Sequence, residues 1–234
     1  MIKLDSYSDS RFDGFCIYCG GPPETVDHVP SKVLLDKPFP AELMVVDCCE
    51  RCNNELSVDE EYFACLIECT LAGTTEIEKL KRENIQKALT RNKKLHARLE
   101  SARSEIYGQI YFQPEEIPSK RVLMKLVRAH AKYEHGQPKD DEPAYFSVRP
   151  LTTMTDDEKN TFFSYRSDSP FSGWPEVGSR GMQRMAFTFG SDATGYPWIT
   201  VQEGIYEYAV VEDVWNPRVR ILIRNYLAVE VGWE

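Results

Sequence analysis

Two CxxC pairs constrain this chain more than any other feature. Cys16 and Cys19 open the stretch CIYCGGPPETVDHVPSK, and Cys49 and Cys52 follow after 29 intervening residues. Each pair suits a tight turn that aims two thiolates at one ion, and two such turns make a tetrahedral four-thiolate zinc site. Gly20 and Gly21 suit the sharp backbone bend after the first pair. The chain carries seven cysteines, an odd number, and MIKLDSYSDSRFDG at its start lacks the apolar core of a secretory signal. Cysteines of a reducing compartment serve as metal ligands or buried thiols rather than disulfides. The chain is therefore expected to be soluble and cytoplasmic, and no run approaches the ~20 apolar residues a membrane span needs. Cys48 is the spare beside the second pair. Cys65 and Cys69, four apart, are expected in a helical core.

A closed four-thiolate site leaves no open coordination position, so its zinc is structural and holds together a segment too polar to fold alone. Any chemistry then lies between and just after the pairs. Thr25, Val26 and Val29 favour a strand that Pro30 ends. Asp27 and His28 are adjacent on it and point to opposite faces. After the second pair, Ser57-x-x-Glu60 has the form of a capping box, which predicts a helix over about residues 58–71.

CxxC, then Asp27-His28-x-Pro30, then CxxC-Asn53 leading into a helix resembles the HNH endonucleases, with their ββα-metal fold. The resemblance covers residues 16 to about 65. It implies that Asp27 and Asn53 bind one catalytic divalent metal, Mg²⁺ or Mn²⁺, and that His28 is the general base that activates water. Oxygen ligands suit such an ion better than they suit zinc. The middle Asn of the family's motif has Glu42 in its place, within Glu42-Leu43, and a role in fixing the loop and the base passes to that carboxylate.

Residues 76–107 contain no Gly or Pro and are expected to form one long helix, with Ile85, Ala88, Asn92, Leu95, Leu99, Ala102 and Ile106 along one seam. Every charge from residue 84 to 99 is basic, in a chain of net charge −9. That concentration is the best candidate for contact with a phosphate backbone. His96 is expected at its surface. A second helix is expected over 119–135, and His130 and His135 on it are given no chemistry. From Ala144 the pattern changes to short β-branched and aromatic runs: AYFSVRP, MAFTFG, PWITV, IYEYAVV, VRILIRNY and LAVEVGWE. These predict a mostly antiparallel sheet. TDDEKNTFFSYR suits a short helix, and residues 166–181 form a Gly/Pro-rich loop.

The expected fold class is α+β: a zinc-stapled ββα-metal module over 1–75, a helical region with a basic helix over 76–142, and a mostly antiparallel C-terminal region over 143–234. The expected function is a metal-dependent HNH-like endonuclease. Its zinc would lie on Cys16, Cys19, Cys49 and Cys52, and its active site would use Asp27, His28, Glu42 and Asn53. The expected partner is nucleic acid, with DNA favoured by the resemblance, and a homodimer or a regulatory protein partner is compatible with residues 143–234. Two alternatives stand beside it: a non-catalytic zinc-binding module for DNA or protein, and an RNA-cleaving toxin-like nuclease using the same site.

Overall fold

The computed structural model describes residues 2–4, 13–136, 138–163, 180, 198–213 and 216–233. The fold is mixed α+β, with five α-helices and three sheets among those residues. The chain divides into two compact units, Met1–Cys52 with Lys125–Glu234, and Asn53–Met124.

The first unit begins with a three-stranded sheet. Strand β1 (Ile2–Leu4) runs parallel to β3 (Glu42–Cys48), and β2 (Thr25–Val29) pairs with the other edge of β3 antiparallel. Leu43, Met44, Val45 and Val46 are consecutive and all buried, so the central strand is covered on both faces. Helix α1 (Glu50–Ala72) follows at once, and β2, β3 and α1 make a ββα element. The helix starts eight residues before the expected one. Its first turn takes a cap that is remote in sequence, because the Glu50 N–H donates to Glu24 Oε2 at 3.0 Å. Ser57 lies inside the helix and donates to the Asn54 carbonyl at 2.7 Å, so it is no capping box.

In the second unit the single helix expected over 76–107 is broken. A 3₁₀ turn at Ile77–Lys79 precedes α2 (Glu83–Arg91) and α3 (Lys93–Ala102). Asn92 separates the two helices: its backbone leaves the helical region, and its Oδ1 accepts from the Leu95 N–H at 3.0 Å. A side chain assigned to the seam is a cap instead. Beyond Ala102 the chain forms a hairpin, β4 (Arg103–Ile106) with β5 (Gln109–Phe112). Tyr107 and Gly108 at its tip have φ of 51° and 76°, the paired positive values a two-residue turn requires. Ile85, Ala88, Leu95 and Leu99 are buried as expected, Leu89 is buried although it lay outside the expected seam, and Ile106 is exposed. Tyr62 of α1 accepts the Glu115 N–H on its hydroxyl at 2.8 Å and carries the Arg98 guanidinium over its ring. Cys65 and Cys69 are fully buried, and burial pushes both thiols up to about 12, as suits inert core cysteines. His96 is half-buried rather than at the surface, with Nε2 2.9 Å from the Thr75 carbonyl oxygen.

Helix α4 (Glu116–His135) starts three residues earlier than expected because Pro118 sits in its first turn, where a missing N–H costs nothing. From Lys125 it belongs to the first unit. The rest of that unit is β6 (Tyr145–Pro150), α5 (Asp156–Phe163), β7 (Ile199–Gln202), β8 (Tyr206–Asp213), β9 (Asn216–Ile223) and β10 (Leu227–Gly232). The five strands form one antiparallel sheet in the order β6-β10-β9-β8-β7. The strand expected at MAFTFG lies outside the described residues, as does the 166–181 loop apart from Arg180.

Alternation on β8, β9 and β10 buries Tyr206, Tyr208, Val219, Ile221, Val229 and Val231 completely. Tyr208 donates to Glu134 Oε1 on α4 at 2.6 Å and lies 3.1 Å from Met44 Sδ on β3. The β2–β3 connection is fastened to the same sheet by Asp36. Its carboxylate takes a two-pronged Arg224 pair at 2.6 and 3.1 Å, and its backbone exchanges two hydrogen bonds with the Gln202 amide. These ties hold β2 and β3 in place from outside the segment that carries the two CxxC pairs. Among the described residues no helix is long and apolar enough to cross a membrane.

Candidate metal centre

The four cysteines meet. The sulfurs of Cys16, Cys19, Cys49 and Cys52 all lie within 4.8 Å of one another. Tetrahedral zinc with Zn–S bonds of about 2.3 Å needs sulfurs about 3.8 Å apart, and Cys19 Sγ lies 3.8 Å from Cys49 Sγ. The donor set and its spacing therefore fit a structural zinc ion.

Local backbone geometry explains how each knuckle forms. In the first, the Gly20 N–H donates to the Cys16 carbonyl at 2.8 Å and the Cys16 N–H donates to the Gly21 carbonyl at 2.6 Å. Gly20 has φ of 72°, a turn that a side chain would strain. In the second, the Cys52 N–H donates to Cys49 Sγ at 3.4 Å from the first turn of α1. The first knuckle is anchored to the end of β3 by the Ile17 N–H on the Asp47 carbonyl and the Glu24 N–H on the Cys48 carbonyl, both 3.1 Å.

Electrostatics sort the thiols. The Gly21 N–H, followed by neighbouring thiols, brings Cys19 down to about 7, and Arg51 hydrogen-bonds to it from the surface. Burial pushes the Cys16 and Cys52 thiols up. A zinc ion reverses that, since coordination deprotonates a thiol outright. Cys48 is fully buried beside Cys16 and Cys49, with its thiol pushed up to about 12 by burial and then by Asp27, and it is not among the four.

The strand pattern separates Asp27 from His28 as the sequence implied. Asp27 and Val29 are buried, while Val26 and His28 on the opposite face are half-buried. Register pairs Asp27 with Val46 and His28 with Val45. Glu42, at the start of β3, is exposed and shares its face of that strand with Val46, hence with Asp27 rather than His28. Asn53 follows Cys52 in α1 and is half-buried.

Two groups the sequence reading left unassigned sit on Asp27. Tyr18, inside the first CxxC, donates its hydroxyl to Oδ2 at 2.8 Å, and Lys125 of α4 places Nζ 2.7 Å from the same oxygen. The Lys125 side chain is 1% exposed and also donates to Ser31 Oγ at 3.1 Å. The only hint in the sequence is a lysine set inside the apolar run VLMKLV. His28 differs: its Nε2 is buried and has no hydrogen-bond partner among the described residues. Burial lowers its pKa, and Lys32 lowers it next; Asp27 works against them, while Lys3 and Lys125 add to the lowering. His28 is accordingly neutral at pH 7, in a field made positive by three lysines.

No protein-family model, no curated protein and no solved structure matches the chain.

Proposed function

We propose that this protein is a metal-dependent endonuclease of the HNH type, hydrolysing phosphodiester bonds, with DNA as the preferred polymer. The observation that carries this reading is His28. It is a neutral imidazole whose buried Nε2 has no partner among the described residues, on the first strand of a ββα element whose segment also carries the four-cysteine cluster. A general base needs a free ring nitrogen and a pKa below the working pH. The lysines that depress His28 also supply the positive potential an anionic phosphodiester seeks, in a chain that is otherwise acidic.

His28 takes the proton of the attacking water at Nε2. Asp27 and Asn53 would hold one Mg²⁺ or Mn²⁺ ion. Carboxylate and amide oxygens fit such a hard ion, and both described contacts of Asp27 fall on Oδ2, which leaves Oδ1 to coordinate. When bound, the ion supplies neutralisation of charge at the leaving oxygen. Glu42, on the face of Asp27, belongs with the metal side of the site more than with the base.

The test is cleavage of plasmid, linear and single-stranded DNA, and of RNA, by wild type and His28→Ala, each with Mg²⁺, Mn²⁺ or excess chelator. Metal-dependent cutting that His28→Ala abolishes, with zinc content unchanged, is the expected result, and the preferred polymer follows from the substrate arms. RNA cut in preference to DNA would make it a ribonuclease with the same site.

A second reading, a non-catalytic zinc-stapled interaction module, draws on one observation. Lys125 already places a cation at Asp27. No cutting by folded, zinc-loaded protein under any of these conditions would favour it.

A further inference from the structure

A carboxylate that is to bind a divalent ion should have no cation on it, yet Asp27 has one. Lys125 Nζ stands 2.7 Å from Oδ2, and the two side chains are 1% and 8% exposed. The ammonium is fixed by more than this contact: it donates to Ser31 Oγ at 3.1 Å and lies 6.0 Å from the centre of the Tyr18 ring. Tyr18 in turn donates to the oxygen that Lys125 holds. Tyr18, half-buried, with the buried Asp27, Ser31 and Lys125 thus form one polar group drawn from the first knuckle, β2, the residue before the following 3₁₀ turn, and α4. Charges separated from water act on one another far more strongly than charges in water. A divalent ion arriving at Oδ1 would meet the Lys125 charge across the width of one carboxylate.

We propose that Lys125 is a resident cation at Asp27 that sets the divalent-metal affinity of the site and keeps it low. It is a positioning residue: it holds the Asp27 carboxylate through Oδ2, leaves Oδ1 as the coordinating oxygen, and opposes the incoming ion by like charge. The arrangement keeps the site metal-poor at rest, so loading depends on further ligands, such as substrate phosphate oxygens, to offset the repulsion. This rests on the assignment of Asp27 as a metal ligand.

The experiment is titration of zinc-loaded protein with Mn²⁺, free Mn²⁺ being followed by electron paramagnetic resonance. The variants are Lys125→Gln, Lys125→Arg, and Lys125→Gln combined with Asp27→Asn. Removing a buried unit charge beside the site should tighten Mn²⁺ binding about tenfold or more in Lys125→Gln. Lys125→Arg keeps the charge and should keep the weak binding, and the double variant should lose the gain. A merely structural lysine would leave affinity unchanged or lower it in Lys125→Gln. That result, or a gain that survives Asp27→Asn, overturns the proposal.

Should Lys125→Gln fail to fold, the wild-type protein carries the test. The Lys125 ammonium nitrogen resonance should shift on saturation with Mg²⁺, and no shift at saturation overturns the proposal. Failure of the endonuclease reading has a different signature. There, Lys125→Gln binds Mn²⁺ more tightly but neither it nor the wild type cuts any nucleic acid.

Discussion

Lys125 and Asp27, on α4 and β2, form an ion pair at 2.7 Å in which neither side chain is more than 8% exposed. Such a pair is asymmetric in its energetics. Forming it gains little over an apolar pair, but breaking it strands a buried charge. Asp27→Ala leaves the Lys125 ammonium with Ser31 as its neutral partner. The expected loss is about 3–5 kcal/mol of unfolding free energy, measured by urea denaturation at pH 7. A loss within the range of a surface substitution would mean that Lys125 swings into water.

The zinc site predicts a contrast between adjacent cysteines. Cys49→Ser removes one of four converging sulfurs, so the protein should lose its zinc and the first knuckle should lose protection from proteolysis. Cys48→Ser, at the neighbouring buried thiol, should retain zinc. Metal content after dialysis, read by atomic emission, checks both. Loss of zinc from Cys48→Ser alone would move the fourth ligand to Cys48.

Stability should fall in mild acid. His130 is fully buried against Tyr206 and Tyr208, with its Nε2 2.8 Å from the Tyr206 hydroxyl, and burial lowers its pKa to about 3. His135 is lowered to about 4, by burial and then by Lys139. Both pKa values are depressed below the unfolded value of about 6.5. The unfolded chain therefore binds more protons between those limits. The contribution is fully present above pH 6.5 and is lost as pH falls towards 4 and then 3. Each histidine should cost on the order of 2 kcal/mol between pH 7 and pH 5. Thermal melts at the two pH values check this, and His130→Phe should narrow the difference between them.

Asn92→Ala should destabilise the second unit by about 1 kcal/mol, because the first turn of α3 loses the side chain that accepts from the Leu95 N–H. Asn92→Asp, which keeps an acceptor, should recover most of it. Hydrogen exchange at Leu95 gives the local readout.

Nucleic-acid contact by the basic helices should rest on few residues. Arg91 pairs with Glu61, Arg98 with Glu115 and Lys87 with Glu83, so much of the positive run is neutralised within the unit. Lys93 and Lys94, exposed at the start of α3, have no ion pair among the described residues. If this face meets a phosphate backbone, replacing either with alanine should reduce the salt dependence of binding by about one unit of slope. Arg98→Ala should change stability more than binding.

What the sequence disclosed and what it withheld follow from range. The four-cysteine cluster was legible because each half of it is a local turn with fixed spacing, and the register of Asp27 and His28 was legible because alternation is local too. The strands after Ala144 that lie in the described residues fell where β-branched runs predicted them, from Tyr145–Pro150 to Leu227–Gly232. The break at Asn92 was hidden because an asparagine inside a periodic run looks like a polar seam position. The β4–β5 hairpin was hidden because Gly108, its turn glycine, lies one residue past the run that lacked glycine and proline. Glu24 capping α1 and Lys125 reaching Asp27 depend on chain segments brought together only by folding, and no window of sequence contains both partners.

The order of strands in the larger sheet governs when that sheet can form. Among the described residues β6 has β10 as its sole strand neighbour there, and β10 lies between β6 and β9. During synthesis, Tyr145–Pro150 emerges long before Leu227–Gly232, the strand it pairs with. β7, β8 and β9 can zip together as successive hairpins, leaving one edge of β9 open. The last strand then closes two gaps in a single step. Until that step the edges of β6 and β9 that β10 fills stay open, edges of the sort that invite pairing with a neighbouring polypeptide.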